Sequence, residues 1–564
     1  TLLKSDCISY VVVPVARIED IEREVKRMSK SIQSIVMLNC GGLFNIEDFV
    51  EISENVTMYI LDNHRPVNLR NAFWNNEVIV FHEKDLDKDL AQEKEAIVFT
   101  EENEYEAGSD DESGSDNDER PDRLSDREDN SDNGRENDDD EEGEEGSHRR
   151  RRRRTGLDSE VIPESMRKQW KASRAIVIEH MSKGVTFGTS IANQSYMMAT
   201  QLDRSSSNLL WLAIVGLSSQ YLADQIGHEA YLEKVQLYKD EAERLTPTGP
   251  GDRNAITGIS AGINSDVTGT GGSAVKGPED GAINCTDEYR FMMVRHWSLY
   301  EKECSQVFTH MSIELKKILK DRIELVGPEY GLYDTLYTSF TRSYGYRGVM
   351  SASDVVYAVT GLLESSPEAS IALGFHPEAS SSEPMSGVPA ADETHGGQGD
   401  HGSPSWWHDN FFRACDALES SGSDREELRQ GLDLCMKTLQ AVVRQGIAII
   451  EKQVIITLSR CRVATLKDGP DLPIFWNPIT LNKLAQFLVY AIREYGSARP
   501  GIRPIPLVVA VLKEETQTFI VTGVHGSPVM GEAIPNKFGI VFEKISYNEG
   551  IPIKYLGFDK SVVE

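Results

Sequence analysis

The sequence predicts an α/β protein with a parallel-sheet unit first, an all-α stretch after it, and a second, smaller α/β unit at the end. Three observations predict this. Apolar runs of strand length alternate with helix-spaced segments over residues 8–100, at lengths that suit strand–helix–strand crossovers. The middle of the chain carries apolar residues at helical spacing with no strand pattern between them. From Val454 onward, short apolar runs separated by turn residues return.

In chain order, Ile8 to Val13 is a β-branched run ended by Pro14 and reads as a strand. Ile18, Ile21, Val25, Met28 and Ile32 fall at helical spacing. Ile35–Leu38, Met58–Leu61 and Val78–Phe81 read as further strands of a parallel sheet. Polar residues, Asn39 and then Asp62, stand just past strand ends, where open α/β sheets bind their ligands. Asp62-Asn63-His64-Arg65-Pro66 places a carboxylate and an imidazole two apart at such an edge. Both are ordinary ligands of manganese or zinc. A polar turn closed by Pro66 accounts for the same residues, and two-residue patterns are common.

After Pro163, Met166, Trp170, Val177 and Met181 share one helix face. Residues 189–226 read as two more helices, the second carrying Leu209 to Leu217, which is apolar nearly all round and so central. Tyr289–Cys304 and 308–325 read as helices, and Ser351-Ala352-Ser353-Asp354 caps another, Val355–Leu363. Phe411–Leu418 and Arg425–Lys452 are helical. Val454–Leu458, Arg462–Leu466 and Pro473–Trp476 read as strands, and Thr480 as the cap of a helix bearing Leu481, Leu484, Leu488 and Ile492. Leu507–Leu512 and Phe519–Val524 form a hairpin-like pair, Phe538–Ile545 a helix and Ile553–Phe558 the last strand.

Composition bounds the function. The chain of 564 residues is too long for one core, and its net charge is −31. Residues 101–146 alone hold 23 Asp and Glu against 4 Arg. The rest is only moderately acidic, which argues against coating of duplex DNA but not against a local basic channel. The seven cysteines include no C-x-x-C pair and are odd in number, so a disulfide scaffold or zinc module is not expected and a reducing compartment is favoured. Leu209–Leu217 is too short to span a bilayer, and no membrane partner is expected. The acidic tract cannot bury enough surface to offset its ordering entropy, and disorder is expected there. Ser109, Ser113, Ser115 and Ser125 each have an acidic residue three positions on, the pattern of an acidophilic kinase. Arg149, Arg150, Arg151, Arg152, Arg153 and Arg154 follow, a run that suits nuclear import or nucleic-acid contact, or else a solvated counter-run to the acidic tract. The chain opens Thr1-Leu2-Leu3-Lys4 without Met, so a preceding segment is expected.

Several stretches in order resemble one family. Asp62-Asn63-His64-Arg65-Pro66 is similar to the Asp-x-His-Arg-Pro box of the eukaryotic cell division control protein 45 family, and Leu38-Asn39-Cys40-Gly41 to the strand end before it. Trp211 to Leu217, His296-Trp297-Ser298-Leu299, Ala352 to Val356, Pro506 to Ala510 and Phe538-Gly539 with Phe542-Glu543-Lys544 resemble its later signatures. The resemblance implies the DHH phosphoesterase superfamily and its RecJ fold. The implied division is 1–100, a truncated first part of a DHH-like α/β domain; 101–160, acidic loop and Arg run; and 161–245, its helical remainder. It continues with 246–284, a loop; 285–365, an all-α insertion; 366–405, a second loop; and 406–564, linking helices and a DHH-associated α/β domain. It also implies a non-catalytic subunit of the replicative helicase, acting with the minichromosome maintenance hexamer, the GINS complex, origin loading factors and single-stranded DNA at the fork.

Three departures stand out. The family's Asp-x-Asp strand is absent, the interval from Trp297 to Ser353 is about one helical hairpin short, and the two loops are long. A catalytic site of this superfamily needs a ring of carboxylates and histidines around two divalent metals. Here Asn39 and Ser219 stand where carboxylates are needed, leaving Asp62 and His64 alone. These four are therefore expected to be a vestigial site that is neither catalytic nor metal-binding, and no cofactor is expected. The competing readings are a metal-dependent RecJ-like single-strand exonuclease and an acidic nuclear adaptor of the histone-chaperone kind.

Overall fold

The computed structural model describes residues 7–29, 31–52, 55–103, 164–245, 281–289, 336–344, 348–375, 406–419, 426–495, 505–527 and 532–564, with isolated positions at 3, 312 and 314. The acidic tract with Ser109, Ser113, Ser115 and Ser125, the run Arg149 to Arg154, the helices expected after Tyr289 and over 308–325, and the box at His296 lie outside the described residues.

The first unit is the expected parallel sheet. β1 (Ser34–Leu38) pairs in parallel with β2 (Thr57–Leu61), and β2 with β4 (Val78–Phe81). Met37, Met58, Ile60 and Val78 point inward onto Ile18 and Ile21 of helix α1 (Ile18–Arg27) and onto Ile46 and Val50. The α1 N-terminus is held by Asp20, whose carboxylate accepts the N–H groups of Ala16 and Arg17 at 3.1 and 3.0 Å. The helix ends at Arg27, short of the Ile32 expected. Ile8–Val13 is not a strand: it has no ladder partner among the described residues, and Val11 is 86% exposed. β-branched content alone made it look like one, and without a neighbouring edge that content forms no sheet.

The helical layer follows: α2 (Ile191–Gln201), α3 (Ser207–Leu222) and α4 (His228–Leu245). α3 is central as its sequence requires, burying Leu210, Trp211, Ala213, Ile214 and Leu217. The expectation that 285–365 is all-α is corrected. β6 (Ile283–Tyr289), β7 (Leu336–Ser343) and β8 (Val349–Ser351) make an antiparallel sheet whose Ile283, Tyr337 and Phe340 pack on the α3 core. β7 reads Leu-Tyr-Thr-Ser-Phe-Thr-Arg-Ser, so its strand signal is β-branched and aromatic content rather than apolar alternation. α5 (Ala352–Glu364) is capped by Ser351, whose Oγ accepts the Asp354 N–H at 3.1 Å. The stretch expected as loop from 366 begins instead with a Ser366-capped helix, Pro367–Ala372. α5 crosses the long helix α6 (Glu426–Glu451) at Gly361 and Gly431.

The last unit is a five-stranded sheet in the order β13-β12-β11-β10-β9. β9 (Ile456–Thr457), β10 (Arg462–Leu466), β11 (Leu507–Lys513) and β12 (Thr518–Val524) appear where strands were expected, although β9 is only a fragment of its segment. Pro473–Trp476 is a 3-10 turn, because Pro473 fits its first turn and Phe475 and Ile474 bury there. α7 (Pro478–Tyr495) is capped by Asn477, whose Oδ1 accepts the N–H of Ile479 at 2.9 Å, and not by Thr480. α8 (Phe538–Glu549) ends on Gly550 at φ 63, a left-handed position that glycine fills without strain. The final strand is β13 (Val562–Val563), while Ile553–Phe558 forms only a loose pairing with it through Lys554 and Leu556.

Candidate vestigial strand-end site

Leu38 and Leu61 are register partners, so the residues after them, Asn39 and Asp62, emerge side by side from the sheet. Asn39 takes φ 59, a left-handed conformation asparagine tolerates, and its N–H reaches Leu61 O at 2.8 Å. The chain then turns through Gly41 and Gly42. A Cβ on Gly42 would lie 2.8 Å from Asp62 Oδ2, so only glycine lets the backbone come close enough for Gly42 N–H to donate to that oxygen at 2.7 Å. Asn71 holds this loop from behind: its side chain donates to Gly41 O and Phe44 O and accepts the Ile46 N–H.

Asp62 Oδ1 accepts from the His64 N–H at 3.1 Å and pairs with His64 Nδ1 at 2.6 Å. Both side chains are buried, at 3% and 7% exposure for the residues. His64 lies on β3 (His64–Arg65), paired to β5 (Thr186–Phe187) with its ring beside Phe187. Burial by itself would push the Asp62 carboxyl up; the His64 hydrogen bond and charge, with the His64 and Gly42 N–H groups, outweigh it and hold the carboxyl below its ordinary value.

Three of the four expected residues, Asn39, His64 and Ser219, line one cleft of about 940 Å³; Asp62 lies behind them. The opposite wall comes from the last unit: Lys483 and Tyr490 on α7, His525 after β12, and Asp559. Val185 and Asn536 join the walls with paired backbone bonds of 2.7 and 2.8 Å, Tyr490 OH donates to Asp224 Oδ2 at 2.7 Å, and Phe558 packs into the first unit's core. Asn71, Gly42 and His525 escaped sequence reasoning. Gly42 had a signal in the Gly-Gly pair after a strand; the other two had none.

The residues present do not fit a two-metal centre. Both Asp62 oxygens already accept from His64 and Gly42, Asn39 and Ser219 carry no charge, and the described residues contain no group of three or more His, Cys, Asp or Glu able to hold a metal. Among the described residues no helix is long and apolar enough to cross a membrane.

Because the Asp62 pKa is lowered on folding, its contribution is complete above the unfolded value of about 4 and is lost as pH falls through the folded one. Asp62→Asn should therefore cost about 2 kcal/mol at pH 7, with a smaller gap from the parent below pH 4. Urea unfolding at both pH values checks this; an unchanged gap contradicts it.

The arrangement defines a class: an α/β body with a parallel sheet, whose strand-end site faces a second α/β unit. The family model described as CDC45 matches residues 1–301 and 302–564, and the chain belongs to that family. It is 31% identical to the cell division control protein 45 homolog of Schizosaccharomyces pombe, over 100% of this chain and 90% of that one. It is 26% identical to cell division control protein 45 of Saccharomyces cerevisiae, with the same coverage. The crystal structure of CDC45 from Entamoeba histolytica matches the fold with a TM-score of 0.55 at 16% identity, over 98% of this chain and 85% of that one.

Proposed function

We propose that this chain is a non-catalytic subunit of the eukaryotic replicative helicase complex, required for initiation of DNA replication and for fork unwinding. The observation that carries the reading is the use made of Asp62 and His64. In a member of this family, the two residues that could serve hydrolysis bind each other and the Gly42 backbone, in a site with no charged companions at Asn39 and Ser219. The reading makes the minichromosome maintenance hexamer, the GINS complex and origin loading factors its partners, and single-stranded DNA at the fork its neighbour. Such work is nuclear, and the reading assigns import to Arg149 to Arg154. The domain division given above belongs to the same reading, with strands added to the insertion.

The exonuclease reading needs metal ligands that the cleft does not supply. Pure protein incubated with manganese and an end-labelled single strand, beside a His64→Ala variant, separates the two. No cleavage by either is expected. Cleavage by the parent that the variant loses would replace the scaffold reading with the nuclease.

A further inference from the structure

The helix Glu164–Met181 packs along the helix Ala91–Glu102, and the one buried residue it contributes is His180, 3% exposed. A helix of 18 residues is thus anchored in its last turn by an imidazole, where an apolar side chain would serve without titrating. The ring Nε2 lies 3.1 Å from Val67 O. A carbonyl oxygen only accepts, so Nε2 carries the hydrogen and donates it. In the neutral ring Nδ1 is then an acceptor, and it is buried with no hydrogen-bond partner.

Val67 directly follows the box that ends at Pro66. Asn68, next in line, caps the helix Leu69–Phe73, which carries Asn71. Asn71 in turn holds the loop behind Asp62 through Gly41 O and Phe44 O. His180 therefore ties the end of the helix Glu164–Met181 to the frame of the strand-end site.

We propose that His180 is a proton-operated latch: neutral, it holds the end of this helix to the strand-end loop, and protonated, it lets that end go. A charged ring needs an acceptor at Nδ1 as well as at Nε2. The charged groups that face the ring among the described residues are Glu93, on the helix Ala91–Glu102, and Lys183, just beyond its own helix; the strand-end loop presents the Val67 carbonyl. Glu93 Oε1 stands 3.7 Å from Nδ1, beyond hydrogen-bond reach, and already accepts from Lys183 Nζ at 3.4 Å. Burial disfavours the charged ring most and Lys183 adds to it; together they outweigh the Val67 bond and Glu93, and the pKa falls below its ordinary value. A ring with a depressed folded pKa takes up a proton when it is released. The latch is therefore firm above the unfolded value of 6.5, weakens as pH falls below it, and weakens no further once pH is below the folded value.

The test is amide hydrogen exchange of the full chain, read by mass spectrometry at pH 7.5 and pH 5.5, with each rate divided by its intrinsic rate at that pH. The segments read are 176–183, where the Ser182 N–H bonds back to Ile178 O, and 68–74. Corrected exchange in both is expected to be several-fold faster at the lower pH, and at most about tenfold, the limit for one proton over one pH unit. His180→Gln, whose amide can donate to Val67 O but does not titrate, should lose the dependence. Glu93→Gln should enlarge it by removing the charge that favours a cationic ring, and Lys183→Gln should shrink it. These opposite signs separate the latch from general loosening in acid. Parent exchange that ignores pH at both segments, or a His180→Gln protein that keeps the parent's dependence, would overturn the proposal. Should His180→Gln fail to fold, deuterium uptake at the His180 ring C2, followed against pH in the parent, decides: a midpoint below 6.5 supports the latch, and one at or above 6.5 overturns it.

Discussion

Gly361→Ala should destabilise the protein by roughly 3 kcal/mol or more, the upper range of overpacking, although alanine favours a helix over glycine by about 1 kcal/mol. The reason is the crossing of α5 and α6. A Cβ at Gly361 would run into the backbone carbonyl of Gly431, and a Cβ at Gly431 into that of Ala358. The obstruction is backbone on both sides, so no side chain can swing away. Relief requires separating two helices whose contact also buries Ala358, Leu362 and Leu428. Gly431→Ala should do the same. Gly227, with nothing within 4 Å of its Cβ position, is the control and should tolerate alanine. Thermal unfolding of the three variants checks this; a Gly361→Ala protein as stable as the Gly227→Ala protein would show that the helices can part without cost.

Lys483→Met should cost about 3–5 kcal/mol, the range for stripping one partner from a buried ion pair. Lys483 Nζ lies 2.6 Å from Glu364 Oε1, and the Glu364 side chain is only 4% exposed. Thr480 Oγ1 supplies a second donor at 3.1 Å, so the carboxylate would keep one neutral bond and lose the cation it pairs with among the described residues. The pair joins α5 to α7 and hence the helical layer to the last unit. Adding Glu364→Gln to Lys483→Met should recover most of the loss, because a neutral amide does not carry the burial penalty. Urea unfolding of the single and double variants tests this. Additive losses would mean the two residues act apart.

The fold was readable where one local rule decided an element. β1, β2 and β4 are short apolar runs, α3 is apolar all round, and Ser351 caps α5 as its Ser-x-x-Asp pattern requires. It was unreadable where distant partners decided. Ile8–Val13 has strand composition without a partner strand among the described residues, and β7 becomes a strand because β6 and β8 flank it. Pro473–Trp476 looks extended until the cap at Asn477 and the burial of Phe475 are known. The site divides in the same way. Asp62 and His64 announce themselves two apart in a strand-end box, and Asn39 follows from the matching end of β1. His525 and Asp559 reach the cleft only through the packing of the last unit, and no local spacing marks them.

The central claim is that the cleft takes no part in chemistry while the body serves the helicase. It is tested most directly by fork unwinding with purified minichromosome maintenance hexamer and GINS complex, with this chain present, omitted, or carrying His64→Gln. The account predicts unwinding that requires the chain and proceeds equally with the variant once that variant co-elutes with the complex. Unwinding that does not need the chain, or that is lost with an assembled His64→Gln protein, would contradict it.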